Sequence, residues 1–419
     1  MSVRRLLSPL ISSRLLAPER LRAQRRKAEA KRVRSGRGHV VEAFVQLDDP
    51  YTYLLAQRLV EFVERFDVEL LFHLVPPPDE ASAPEAELLT SYSLVDARRL
   101  AARHGLQFDA VQEPSPDAVD DAQRYWLDVD ESERLTATVL CGEFLWAGAD
   151  LPSSPRSSTV ETALTRGARH RDALGHYLGA TCFYEGEWFW GIDRLPYLEE
   201  RLEELGARNG SEVAVWVDEG GGQGEPEEAG ARDLHWYLSF RSPYTWVAAE
   251  RVVQLAERHG ARLQLRYVLP MVMRGLPVNP KKGRYILLDT NREARRRGVA
   301  FGRICDPVGE PVERGYSLLP WAIDQGQGNS YVLSFLRQVW SEGTNAGNDR
   351  GLQRIVESAG LDWQEARAHL GSTDWKSVAE ANRIELFDLG LWGVPSFRVD
   401  QVAVWGQDRL WVIEEELRR

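Results

Sequence analysis

The sequence predicts an α/β protein of two similar domains. Each has a β-α-β unit, a mainly helical insertion, a closing pair of strands and a last helix. Three observations predict it. Residues 49–60, DPYTYLLAQRLV, recur as SPYTWVAAERVV at 242–253, an offset of 193. At the same offset Tyr92, Asp96, Arg99, Ala101, Gly105 and Phe108 reappear as Tyr285, Asp289, Arg292, Ala294, Gly298 and Phe301. Near the end of each half, FWGIDRL (189–195) matches VWGQDRL (404–410), now 215 apart, so the second copy holds 22 additional interior residues. A period this long exceeds any solenoid repeat and points to a duplicated domain.

The elements follow in order. Residues 1–38 hold 12 Lys/Arg against two acids, a net of +10 where the whole chain carries −11. A basic arm folded back on an acidic body is expected, with Pro9 and Pro18 breaking its helix. In each copy an apolar strand (40–46; 234–240) runs into a proline at the first helical position, where its fixed φ and missing N–H do no harm. The helix that follows buries one face, through Leu54, Leu55, Leu59, Phe62 and Val63 or through Val247, Ala248, Val252 and Leu255. A second apolar strand (68–75; 262–269) leads into the helical segment. Tight turns at Glu185-Gly186 and Asp400-Gln401 join the last two strands, and a final helix starts near Asp193 or Asp408. Between the copies, residues 206–233 form a Gly- and Glu-rich acidic linker, with an added edge strand conceivable at 213–217. The expected domains are therefore 39–205 and 234–419.

Composition narrows the function. With 43% apolar and 27% charged residues, 419 residues supply ample core. No apolar run approaches the ~18 residues of a membrane span, so a soluble body with no membrane partner is expected. An acidic body argues against a nucleic-acid partner. Cys141, Cys182 and Cys305 form neither CxxC nor a metal-ligand spacing. They read as buried spectator thiols in a reducing compartment, with no metal. The cytoplasm is the expected location. The Arg-, Ser- and Leu-containing first 18 residues, faintly similar to a transit peptide, keep the mitochondrial matrix as the alternative.

The element order is that of a thioredoxin fold with a helical domain inserted after the second strand. SPYTW (242–246), NPKKGRYILLDTNREARRRGV (279–299), GVPSF (393–397) and WGQDRL (405–410) further resemble one group of DsbA-like proteins. That group contains 2-hydroxychromene-2-carboxylate isomerase and kappa-class glutathione transferase. The resemblance covers about residues 233–417. The first copy shares mainly DPYTYLLAQRL and the WGIDRL ending.

Thioredoxins place CxxC where the first helix begins, because that terminus stabilises a thiolate. Here the tetrapeptide is Ser242-Pro243-Tyr244-Thr245, so this site has no dithiol and cannot exchange disulfides. No His or Lys adjoins Ser242 in sequence to make it a nucleophile. The resemblance implies instead that glutathione supplies the sulfur and that Ser242 donates a hydrogen bond to its thiolate; taken alone the serine reads first as a helix N-cap, and the other three motifs turn the reading. It further implies a cis Val394-Pro395, with the Val394 backbone pairing to the peptide as an added strand does. A rigid turn opening a strand fits Pro395 alone equally, but not Pro395 joined to Ser242. Asp408, following Gln407, is expected to cap the last helix and, by resemblance, to receive the γ-glutamyl amine. Lys281 and Lys282 stand where the group often has a lysine reaching a substrate acid, although such a pair is also ordinary solvated surface. Tyr285, Asp289 and Arg292 have first-copy counterparts and read as scaffold.

In the first copy Asp49 replaces Ser242 and Ala180 replaces Pro395. An anion there caps the helix but repels a thiolate, so this copy is expected to be degenerate, unless Asp48 and Asp49 make a different, acidic site. The expectation is a glutathione-dependent isomerase or transferase acting on an electrophile such as an aromatic acid, with one site per chain. It would be a monomer with a pseudo-dimeric domain pair, or a homodimer. The alternative is a non-catalytic binding or scaffold protein, and a thiol-disulfide oxidoreductase survives only as a family label.

Overall fold

The computed structural model describes residues 3–152, 159–210, 232–276 and 279–419. It divides into two compact units, Ala23–Asp218 and Met1–Arg22 with Glu219–Arg419, the division falling inside the second helix. The suggested edge strand at 213–217, and most of the expected linker, lie outside the described residues.

The chain opens with α1 (Val3–Leu15) and α2 (Pro18–Arg34). The N-terminal unit then runs β1 (His39–Val45), α3 (Pro50–Arg65), β2 (Val68–Leu74), α4 (Ala86–His104), α5 (Pro116–Asp128), α6 (Arg134–Ala147), α7 (Val160–Leu174), β3 (Thr181–Tyr184), β4 (Glu187–Trp190) and α8 (Gly191–Glu203). The C-terminal unit runs β5 (Asp233–Leu238), α9 (Pro243–Arg258), β6 (Arg262–Tyr267), α10 (Pro280–Arg296), α11 (Glu310–Asp324), α12 (Gly328–Trp340), α13 (Asp349–Ser358), α14 (Trp363–Ala366), α15 (Trp375–Asp388), β7 (Ser396–Val399), β8 (Val402–Trp405) and α16 (Leu410–Leu417).

Both sheets have the same plan. Strand order is β2-β1-β3-β4 in one and β6-β5-β7-β8 in the other. The first two strands of each run parallel and the closing hairpin antiparallel. Each sheet thus lies in a thioredoxin-like region, the fold class expected. The 22 extra residues fall where α10–α15 replace α4–α7.

Individual contacts recur at the sequence offsets. Tyr51 donates to Asp96 at 2.8 Å and Tyr244 to Asp289 at 2.7 Å. The buried Arg65–Glu199 ion pair has its counterpart in Arg258–Glu414 at 2.9 Å. The Gly191 N–H donates to Ala180 O at 2.8 Å, and the Gly406 N–H to Pro395 O at 2.9 Å. These pairings are compatible with a duplicated domain, and they assign Asp289 to scaffold.

The basic arm lies on acidic side chains as expected, with Arg25 paired to Glu187 at 2.7 Å and Arg37 to Glu185 at 3.4 Å, but its first proline does not act as expected. Pro9 does not break α1; it lies inside that helix and is buried. Its ring occupies space that the missing side chain of Gly343 leaves, since a Cβ there would come within 2.7 Å of Pro9. Packing therefore offsets the lost helical hydrogen bond. The first helix meets the C-terminal unit through hydroxyls, an apolar side chain and the Leu16 carbonyl, which accepts from Asn291 at 3.2 Å and from the Arg295 guanidinium. Ser8 donates to Ile304 O (3.0 Å), Ser12 accepts from the Ile304 N–H (2.9 Å), and Leu16 joins the main core with Trp236, Phe240 and Trp246.

Candidate active site

Ser242 is the N-cap of α9, as its residue type predicts. With φ −93° and ψ 114° it stands just outside the helix, so its Oγ can fold back to accept the Thr245 N–H at 3.2 Å. The same Oγ donates to Val394 O at 3.1 Å. Val394-Pro395 is a cis peptide bond, as expected. Pro395 O in turn holds the Gly406 N–H at the start of the WGQDRL turn. One chain of hydrogen bonds thus brings three of the four motifs together, around Ser242, Val394-Pro395 and Gly406.

The Val394 carbonyl accepts from Ser242 and keeps a second lone pair, and its N–H has no partner among the described residues. The Ser242 hydroxyl must swing away from Val394 O before it can donate to a bound sulfur, because a hydroxyl has one proton to give.

Gln407 and Asp408 are placed differently from the cap that was expected. They lie in a short 3-10 turn before α16, and the residue at that helix's N-cap position is Arg409, with no side-chain cap. Gln407 is fully buried. Its Oε1 accepts from Arg251 at 2.8 Å, and its amide donates to Glu293 at 2.9 Å and to Asp408. Both amide protons are thereby used inside the protein, tying α9 to α10. Lys281 and Lys282 begin α10, whose N-cap Asn279 accepts the Lys281 N–H at 2.9 Å. Burial pushes the Lys282 ammonium below the usual lysine range. The hydrogen bonds of Ser242 go to Val394 and Thr245, and to neither lysine.

The equivalent place in the N-terminal unit keeps the cap and loses the rest. Asp49 caps α3, accepting the Tyr51 N–H at 3.0 Å. Burial, with the neighbouring Asp48 charge adding to it, pushes the Asp49 carboxyl up to about 7 against the pull of that N–H. Burial also raises Asp48. A cavity of about 420 Å³ opens here, lined among others by Asp48, Asp49, Tyr51, Leu178, Gly179 and Trp190. Ala180 stands at the proline position with φ +49°, a left-handed backbone that proline's ring cannot adopt. The two units therefore differ here in backbone as well as side chain.

No thiol substitutes for a dithiol. All three cysteines are buried and unpaired with one another, and burial pushes the Cys141 and Cys182 thiols up to about 12.

The DSBA-like thioredoxin domain model matches residues 233–418. This segment is a DsbA-like thioredoxin domain. It is similar to 2-hydroxychromene-2-carboxylate isomerase of Sphingobium xenophagum, at 23% identity over 194 residues, 44% of this chain and 98% of the relative. Among solved structures, a selenomethionyl 2-hydroxychromene-2-carboxylate isomerase matches at 21% identity and TM-score 0.38, covering 44% of this chain and 94% of its own. The cytosolic disulfide reductase DsbM from Pseudomonas aeruginosa, solved with GSH, matches at 19% and 0.33, covering 45% and 100%. The DsbA-like domain thus has an isomerase relative at low identity. Among the described residues no helix is long and apolar enough to cross a membrane.

Proposed function

We propose that the C-terminal domain binds glutathione at Ser242 and holds its sulfur as a thiolate for addition to an electrophile. The observation that carries this reading is the hydroxyl of Ser242, poised at a helix N-terminus and bonded to the residue that precedes Pro395. In an isomerisation the thiolate adds to a conjugated double bond, whose electron pair moves to the carbonyl as an enolate; the former double bond, now single, rotates, and the enolate's collapse re-forms it and expels the thiolate. Glutathione is recovered and nothing is oxidised. In a transfer the sulfur keeps its new carbon bond and the electrophile's leaving group departs. Either way the protein contributes thiolate stabilisation and orientation. The open Val394 N–H is the group proposed to pair with the peptide backbone, and Asp408 and the two lysines are proposed to meet its charged ends. The buried free thiols favour a reducing compartment, the cytoplasm first.

A hydrogen bond to a charged sulfur is worth roughly 1.5–3 kcal/mol, and 1.36 kcal/mol is one pKa unit. Ser242→Ala should therefore raise the pKa of bound glutathione by about one to two units, read from the ultraviolet thiolate band. Equal pKa values in both proteins would reduce Ser242 to a helix cap. A non-catalytic binding domain, which the engaged Ser242–Val394 hydrogen bond favours, would then be the better reading.

A further inference from the structure

The N-terminal unit gathers three side chains of metal-ligating type away from its cavity. Glu42 on β1 and His73 on β2 share one sheet face, because His73 sits opposite Phe44, two residues beyond Glu42. His170 arrives from α7. Three residues earlier, Gly167 lets that helix lie against β2, where any Cβ would come within 1.9 Å of Leu74 O. The three donor atoms lie within 4.8 Å of one another. Glu42 Oε2 is 2.8 Å from His73 Nε2 and 2.5 Å from His170 Nε2. Their side chains remain 21%, 26% and 39% exposed, so an ion can reach them from solvent.

The C-terminal unit shows what this cluster lacks. The offsets set His235, Arg266 and Glu385 at the places of Glu42, His73 and His170, and Arg398 at that of Phe183. Strand register agrees, since Glu42 pairs with Phe183 and His235 with Arg398. There the Glu385 carboxylate lies 3.0 Å from Arg398 and 3.8 Å from Arg266, two permanent cations. In the N-terminal unit both arginine places are taken by other residues, and two imidazoles face the carboxylate instead.

We propose that Glu42, His73 and His170 form a binding site for a divalent transition ion of the zinc type. Two imidazole nitrogens with one carboxylate suit zinc, cobalt or nickel, whereas magnesium and calcium prefer all-oxygen sets. A tetrahedral ion with bonds of about 2.0–2.1 Å keeps its ligand atoms roughly 3.3 Å apart. The Glu42 carboxylate then withdraws by less than about 1 Å from each ring, the two imidazole nitrogens, within 4.8 Å of one another, close towards the same spacing, and each ring carries its proton on Nδ1 so that Nε2 can bind. Three protein ligands leave a fourth position for water.

The test uses the full-length chain, stripped with a chelator and titrated with Co²⁺. The expected result is one Co²⁺ per chain with strong visible bands of a low-coordinate ion, displaced by Zn²⁺. His170→Gln should abolish the bands, as should His73→Arg, which copies the cation of the C-terminal unit. His369→Gln, outside the cluster, should leave them, and thermal melting checks that each variant is folded. Absence of the bands from the unaltered chain overturns the proposal and leaves a hydrogen-bonded Glu–His pair of contacts. Bands that persist in the folded His170→Gln and His73→Arg variants overturn it as well.

Discussion

Asp49 and Ser242 occupy the same turn of the same fold and cap equivalent helices, yet their surroundings diverge. The bonds that hold the scaffold recur pair for pair, down to the Gly191 and Gly406 amides that each close the last turn. What faces the helix terminus does not recur. One unit offers a hydroxyl beside a cis proline; the other offers two raised carboxyls and a left-handed alanine. The comparison teaches that a cap is a scaffold property, satisfied equally by serine and aspartate. The chemistry resides in which group remains when the cap is made.

The largest effect expected at a single pH separates the two units by packing. Gly167 meets Leu74 O directly, whereas its counterpart Asn382 spans the gap to Tyr267 O with a 3.0 Å hydrogen bond. Gly167→Ala should destabilise the N-terminal unit by roughly 3 kcal/mol, because the clash is with backbone that cannot yield. Asn382→Ala should cost the C-terminal unit about 1–2 kcal/mol. Denaturant unfolding of the two variants checks this, and equal losses would break the comparison.

A second effect, graded by pH, isolates the charge. The Asp49 carboxyl titrates near 7 in the folded protein against an ordinary value of 3.8. Its raised folded value means the contribution to stability is fully present below about 4 and is lost as pH climbs towards 7, at up to about 1.4 kcal/mol per pH unit. Asp49→Asn keeps a good N-cap and removes the charge. The variant should gain stability over wild type above pH 7 and lose that part of the slope in melts taken from pH 4 to 8. An unchanged slope would show that Asp49 is hydrated and ordinary.

The smallest expected effect is none at all. With the Cys141 and Cys182 thiols pushed to about 12 and no CxxC, dithiol reductase activity on insulin should stay at background. Activity that survives replacement of all three cysteines would overturn the placement of the site.

Much of this was legible in the sequence because the repeat compares the chain with itself. The offsets 193 and 215 placed strands, both caps and the Ala180–Pro395 correspondence, and register and hydrogen bonds agree with them. What escaped depends on tertiary partners. Pro9 stays helical because it fits Gly343, far along the chain. Gln407 is held by Arg251 and Glu293 from two other helices, so its role could not be read from WGQDRL. Glu42, His73 and His170 come from three elements without any local spacing. The available signal was a polar residue inside each apolar strand, at places where the other copy is polar too.

Titration calorimetry of the full chain with glutathione tests the central claim most directly, namely that a shared scaffold carries one competent thiol site. One site per chain is predicted, in the wild type and in Asp49→Asn alike. Two equivalent sites, or a single site lost on replacing Asp49 while Ser242→Ala leaves it intact, would contradict the account.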